Sequence, residues 1–510
     1  MLLPPAAGAA GAPPGPVRAV SASEARTAQY LDSLRGDPGR LRGFFRRMPK
    51  GADLHNHLTG AVSTEYLVKL AAERGLCIDT ATVTALAQAS GQPCKAGARP
   101  AADARTDRSF HDAIVRAWSM QDFPQGGNGH DHFFAAFKKF GPVVWQDRGK
   151  LLAQVANGVA EQNQFYLETM VSPASQEANG LADRVGWDAD FARMHGKLTA
   201  GGKLDKVVAA ARKEADDTDA QFRAVNHCGT AKARPGCDLA VRWVSQVGRT
   251  GSSQRVFTQL ALGMRLAERD NRFAAVNLVQ PEDEKNALNN YSQQMRMIKY
   301  LRGVYPRAHV TLHAGEVWPG LVKPEELKSH IRQAVHTARA ERIGHGVGLV
   351  HEDHWQDTAR TMADREIAVE VPFTSNAQIL KVRGSDHPFA TYRHFGVPVV
   401  LATDDPGISR TDISTEYQHA AETYDLPYPE LKDLARASLE YAFLPGTSLW
   451  RDNPTSDGYR PAKACDTAQV GAVKPTGPCE RLLKSSPKAS AQWRQEAAFT
   501  HFENRAGATG

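Results

Sequence analysis

What the chain lacks narrows the field first. No stretch of its 510 residues reaches the ~18 consecutive apolar positions that a membrane-spanning helix needs, so a soluble protein is expected. Charge of one sign is not in excess: 62 Lys plus Arg against 56 Asp plus Glu leaves +6, scattered without long runs, which gives a nucleic acid or a membrane surface nothing to recognise. The compact basic stretch from Arg40 to Arg47 reads as the solvated face of a helix. Cysteine is scarce and no C-x-x-C is present. The six cysteines fall into three local pairs, Cys77/Cys94, Cys228/Cys237 and Cys465/Cys479, each in a Gly/Pro-bearing loop. This predicts short-range disulfides and an oxidising compartment, periplasmic or secreted; six thiols in a cytoplasmic enzyme are the alternative. The Ala/Gly/Pro-rich start has no basic n-region, and prolines interrupt its apolar part, so residues 1–22 are expected to be disordered or the remnant of a signal segment.

What is present is the composition of an ordinary globular protein, 42% hydrophobic and 23% charged. From about residue 50 to 440, short β-branched runs alternate with longer helical stretches, the pattern of a parallel α/β architecture. Eight strands are predicted, at Ala52–His57, Gln164–Met170, Ala240–Val247, Phe273–Leu278, His309–His313, Arg342–Gly344, Ala368–Val371 and Val399–Ala402. Helices are predicted at Thr64–Arg74, Lys150–Asn163, Ser253–Arg269, Asn286–Gly303 and Pro324–Ala340, with Ser63 capping the first. The fold expected is a (β/α)₈ TIM barrel over residues 23–440, with insertions at about 75–128 and 172–238 and a C-terminal extension, 441–510, packed on it.

The polar residues that stand out sit at the C-terminal ends of these strands, where barrel enzymes place their chemistry. His55 and His57 alternate, so both rings leave the same face of the first strand. Alone, that pair is as consistent with hydrogen-bonded core residues as with a metal site. His313-Ala314-Gly315-Glu316 ends another strand, its glycine letting the backbone turn and present Glu316 to a cavity. His345 lies between two glycines, which predicts an accessible ring. Asp404 and Asp405 end a strongly apolar strand, and adjacent buried carboxylates need a cation or a donor. Imidazole and carboxylate ligands suit zinc, whose bound water acquires a pKa near 7.

Taken together, MPKGADLHNHLTG, HAGE, RIGHG, PFTSN and TDDP, in this order from about Met48 to Glu416, resemble the adenosine deaminase family. The length and the opening Met48-Pro49-Lys50-Gly51 are similar to its secreted, growth-factor-related branch. The resemblance implies one Zn²⁺ held by His55, His57, His313 and Asp404. It implies Glu316 as proton donor to purine N1, His345 as base or electrostatic partner of the attacking water, and Asp405 as the residue that orients that water and contacts N7. The partner implied is a small purine nucleoside, converted from adenosine to inosine and ammonia. Thr59, Gln280, Gly315 and Asp405 would line the substrate site. Two positions depart from the family pattern: Thr59 stands where an Asp commonly contacts ribose, and Gln280 where a Gly lies near N3. Adenine, AMP or an N6- or 5′-modified nucleoside are therefore alternative substrates. A non-catalytic nucleoside-binding or signalling protein is an alternative of another class; it predicts a damaged catalytic set, and every residue of that set is present.

Other motifs carry plainer expectations. His351-Glu352-Asp353-His354 has the wrong spacing for a helical zinc pair and is expected on the surface. His130 and His132 are expected in a loop or helix cap, Trp118 and Phe123 in packing, and Ser375-Asn376 in a turn or as scaffold near the site. The cytidine-deaminase signature H-x-E with P-C-x-x-C is absent.

Overall fold

The computed structural model describes residues 20–87, 92–124 and 126–506. Eight parallel strands pair in chain order: β1 (Gly51–His57), β2 (Gln164–Val171), β3 (Ala240–Gly248), β4 (Phe273–Val279), β5 (His309–Ala314), β6 (Arg342–His345), β7 (Ala368–Val371) and β8 (Val399–Leu401). Each predicted strand is present to within one residue at either end. Closure comes from the residues after β8: His57 N–H donates to Asp404 O (3.0 Å) and Asp404 N–H to His55 O (2.8 Å), bridging back to β1. The result is a TIM-barrel-like ring. Strands β4 and β7 are buried at every residue, as parallel strands covered by helices must be.

The helices outside the ring follow the apolar spacing of the sequence. In Ser253–Arg269, Val256, Phe257, Leu260, Ala261 and Met264 recur every three or four residues and are buried. Ser63 caps Thr64–Glu73, its hydroxyl accepting from Tyr66 N–H. The helix predicted over Pro324–Ala340 is instead broken into a 3₁₀ turn (Pro324–Leu327), one α-turn (His330–Gln333) and a wide turn (Ala334–Ala338). The cause is electrostatic. Glu352 reaches in to accept the N–H groups of Ile331 and Arg332, and His330 turns its Nδ1 to Glu282 (2.6 Å), so the chain restarts at His330. Glu352 is therefore buried, correcting the surface expectation for its motif.

Among the described residues of 75–128, Cys77–Asp79, Thr84–Leu86 and Ala98–Pro100 make a three-stranded antiparallel sheet, followed by the helix Arg108–Trp118; residues 172–238 hold the α-helices Ser175–Val185, Phe191–Thr199 and Lys203–Val225. All three predicted cysteine pairs are disulfide-bonded. The last helix, Pro487–Ala506, lies against Tyr428–Glu440 and the first helix, Ala22–Leu34, and Lys432 pins the three together through Glu24 (2.9 Å) and Glu503 (2.6 Å). Most of the segment predicted to be disordered, residues 1–19, lies outside the described residues. No helix among the described residues is long and apolar enough to cross a membrane.

Candidate metal centre and substrate cavity

Four side chains converge at the C-terminal end of the ring. His55 and His57 Nε2 lie 3.1 and 3.3 Å from His313 Nε2, and Asp404 Oδ1 lies 3.4 and 3.2 Å from His55 and His57 Nε2. A tetrahedral ion with bonds of about 2.0–2.1 Å separates its ligand atoms by roughly 3.3 Å, so this spacing fits one ion.

The hydrogens support the same reading. His55 Nδ1 lies 2.6 Å from Glu370 Oε2, an oxygen that only accepts. His57 Nδ1 lies 2.6 Å from Gln246 Oε1, and His313 Nδ1 lies 2.9 Å from Asn277 Oδ1, which also takes the His313 backbone N–H. Each ring thus spends its hydrogen on Nδ1 and points the Nε2 lone pair inward. Asp404 donates nothing to relieve them: Oδ2 accepts from Ser375 Oγ (2.7 Å) and Oδ1 is buried without a hydrogen bond. Lone pairs facing one another with no hydrogen between them require a cation. With no ion at the site, the carboxylates draw positive charge into it. Burial would lower the His55 pKa, yet the Asp404 and Glu370 carboxylates push it up to about 10, whereas burial and the neighbouring imidazoles hold His313 well below its ordinary range. The four residues fit one metal ion.

The backbone is strained to make this arrangement. Asp404 (φ +60°) and His345 (φ +64°) occupy the left-handed region, rare for residues with side chains and concentrated at functional sites. Two glycines make room. A Cβ on Gly344 would stand 2.5 Å from His55 Cε1, and one on Gly60 would collide with the Asp405 carboxylate.

Glu316, His345 and Asp405 surround the group. Burial, reinforced by the nearby Asp404 and Glu282 carboxylates, pushes Glu316 up to about 8 and so favours its protonated form at neutral pH. Burial and Asp404 likewise push Asp405 well above the usual carboxylate range. The loop carrying Glu316 is held by Glu282, which accepts the N–H groups of Gly315 (3.1 Å) and Glu316 (2.9 Å). His345 is not accessible as its flanking glycines had predicted; it is fully buried, because Gly344 yields its space to His55 and Gly346 to Tyr392.

A cavity of about 970 Å³ opens onto His57, His313, Asp404, Glu316 and Asp405; His345 lies behind its wall. Thr59, Gln280, Glu316 and Asp405 line it; Gly315 does not, its N–H being turned to Glu282. His130 lines the wall as well, in the first turn of helix Gly129–Val144, with its nitrogens 3.0 Å from Asp131 and Asp283. His132 instead turns away to Ser119 O (2.9 Å), and Trp118 is buried in packing.

Sequence reasoning passed over the residues behind the ligands. Gln246, Asn277 and Glu370 hold the three Nδ1 atoms, and Arg342, bridging Glu168 and Glu370 (2.6 Å), anchors Glu370 in turn. A signal existed for two of them, since Asn277 and Glu370 are each the lone polar residue of an otherwise apolar barrel strand.

Comparison with known proteins gives a consistent picture. Residues 128–449 match the family model described as adenosine deaminase. Adenosine deaminase of Salmonella heidelberg (strain SL476) is 38% identical over 137 residues, which is 27% of this chain and 38% of that protein; for Vibrio atlanticus (strain LGP32) the figures are 33% over 135 residues, 26% and 37%. The matched stretch thus spans well under half the length of these relatives. Among solved structures, N6-methyl-AMP deaminase from Arabidopsis thaliana (20% identity, 79% of this chain and 94% of that one, TM-score 0.51) and arabidopsis ADAL complexed with GMP (19%, 79% and 94%, 0.52) share the fold. With the family model covering more than half of the sequence, the chain belongs to the adenosine deaminase family.

Proposed function

We propose that this protein hydrolytically deaminates a 6-aminopurine, adenosine or a close nucleoside, to the 6-oxo product and ammonia, with one zinc ion held by His55, His57, His313 and Asp404. The observation that carries the reading is the convergence of three imidazole lone pairs and the Asp404 oxygen beside a carboxyl, Glu316, that burial keeps protonated. Zinc bound there would supply Lewis acidity that brings the pKa of a water molecule near 7. The chain's own residues do the rest. Glu316 donates its proton to the ring nitrogen N1, which makes C6 electrophilic. His345 is the base or electrostatic partner of the attacking water, and Asp405 orients that water and contacts N7. The overall change consumes one water and releases one ammonia.

Thr59, Gln280 and Asp405 line the substrate cavity, and with Thr59 in place of a carboxylate the grip on the sugar differs from the family pattern. A second reading, a nucleotide substrate, is favoured by one observation: Lys138 and Arg148 also line the cavity, where a phosphate would meet them. Initial rates on adenosine, adenine and AMP, measured with zinc content, test both. Adenosine turning over fastest supports the first reading and AMP the second; inertness toward all three in zinc-loaded protein refutes both. The three disulfides support an oxidising compartment, periplasmic or secreted, and with it membership of the secreted growth-factor-related branch.

A further inference from the structure

Helix Gly129–Val144 runs along the catalytic cavity, and its two ends are tied to different sides of the barrel mouth. At its start, His130 Nε2 lies 3.0 Å from Asp283, in the loop after β4. Toward its end, Val143 O accepts from Arg74 Nη1 (2.8 Å), and just beyond it Arg148 Nη2 donates to Ser172 O (3.4 Å), the first residue after β2. Its 16 residues span about 24 Å. A helix at a protein surface buries one apolar stripe. This one carries two. Phe133, Ala136, Phe140 and Val143 are buried in the core. Phe134, Phe137, Gly141 and Val144 repeat that spacing one residue on; they line the cavity half-buried, or within a residue of doing so, with Trp145 after them 69% exposed.

Gly141 is out of place in that second stripe. Glycine inside a helix is destabilising relative to alanine, and it belongs where a positive φ or a close approach demands it. Neither applies here. Outside its own helical backbone, a Cβ on Gly141 would meet only Trp145 Nε1, at 3.7 Å, an ordinary contact. The missing side chain leaves a notch in the cavity wall. Phe137, four residues before it, and Val144 and Trp145, three and four after, flank the notch on the same helix face.

With C6 of the purine at the ion and N1 at Glu316, the sugar on N9 leaves the opposite edge of the base and points away from the metal group. Of the lysine and arginine that line the cavity, Lys138 is exposed to water and Arg148 is engaged by Glu214 (3.2 Å) as well as by Ser172 O. The notch itself offers carbon and an indole face, which suit an uncharged group. We propose that the notch at Gly141, between Phe137, Val144 and Trp145, is a subsite for an apolar substituent on the sugar, and that the preferred substrate is a 6-aminopurine nucleoside carrying an uncharged alkyl or aryl group at its 5′ carbon in place of the hydroxyl. This deepens the deaminase reading and rests on it. The reaction at C6 is unchanged, and the notch adds selectivity by burying apolar surface.

The test uses full-length, zinc-loaded protein and four probes: adenosine, AMP, and adenosine with a methylthio or a phenylthio group in place of the 5′-hydroxyl. kcat/KM for the thioethers is expected to exceed that for adenosine about 10-fold or more, the discrimination that one added apolar group brings in a fitting pocket. Efficiency on both thioethers no higher than on adenosine or AMP overturns the proposal. Gly141→Leu fills the notch at a position with open space and a better helix former. It is expected to bring the thioether-to-adenosine ratio down toward one; a wild-type ratio in the variant overturns the subsite. Trp145→Ser, at an exposed position, gives the same readout should Gly141→Leu not fold. Calorimetric binding of the 6-oxo products, inosine against 5′-methylthioinosine, needs no turnover: about 10-fold tighter binding of the thioether is expected, and equal affinities overturn the proposal. Inertness toward all four probes with selective binding retained overturns the deaminase reading and leaves the subsite standing, so the two failures are separable.

Discussion

Glu370 is where the account is most exposed to test. Its Oε2 holds His55 Nδ1 at 2.6 Å, while its Oε1 accepts from Arg342 Nε (2.6 Å) and Thr311 Oγ1 (2.8 Å). Burial would raise the carboxyl, but Arg342 and His55 hold it down at about 2, so it is ionised at every working pH. Glu370→Gln preserves the shape and removes the charge. An amide has one accepting oxygen, which must serve either Arg342 or His55. If it stays with Arg342, an NH₂ faces His55 Nδ1 and drives the ring hydrogen to Nε2, into the metal group. Loss of such a backing partner weakens metal binding about 10- to 100-fold, or ~1.4–2.7 kcal/mol, and the upper end is expected here because a ligand lone pair is lost outright. If the oxygen serves His55 instead, buried Arg342 loses one of its two carboxylates, which costs stability by about 3 kcal/mol or more. Competition against a chromophoric chelator, with thermal unfolding run in the presence and absence of zinc, reads both effects. Zinc affinity within twofold of wild type together with unchanged stability refutes the reasoning.

Further expectations follow from the same geometry. Glu316 must be protonated to donate, and its pKa is raised to about 8, so kcat/KM falls as pH rises through that value; Glu316→Gln lowers kcat by about 10²-fold or more and abolishes the alkaline limb of the pH–rate profile. Burial would raise Glu282, but His330 and Arg249 hold it at about 2, below its ordinary 4.5. Its stabilisation, about 3 kcal/mol, is therefore present above pH 4.5 and lost as pH falls toward 2. Urea melts of wild type and Glu282→Gln should differ by that amount at pH 7 and converge in acid. Gly344→Ala places a methyl 2.5 Å from His55 Cε1, and overpacking of that kind costs about 1–3 kcal/mol; zinc content per folded chain should fall with it. Alkylation of unfolded protein should label all six cysteines only after reduction, and reduction should lower the melting temperature, loops of this size contributing about 3 kcal/mol each.

Much of the architecture was legible because parallel strands covered on both faces read as near-continuous apolar runs, and the alternation of such runs with amphipathic helices has few other interpretations. The polar groups of the site stand out for a related reason: His55, His57, His313 and Asp404 interrupt those runs at the strand ends, while their grouping as one ligand set is what the family resemblance implies. What escaped was set by pairing across the ring. That Glu370 would meet His55, 315 positions away, follows from which strands face each other across the interior. The break in the helix over Pro324–Ala340 was equally hidden, since it depends on Glu352 and Glu282 arriving from other segments. The glycines around His345 misled for a local reason. The space they clear serves His55 and Tyr392, not the imidazole they flank.

The central claim is that one ion held by His55, His57, His313 and Asp404 is the seat of purine deamination. Purified protein assayed by absorbance on adenosine, beside metal analysis and a His313→Ala variant, tests it most directly. The account predicts about one zinc per chain, conversion of adenosine to inosine with release of ammonia, and loss of both metal and turnover in the variant. Undiminished turnover by a metal-depleted His313→Ala protein would contradict it.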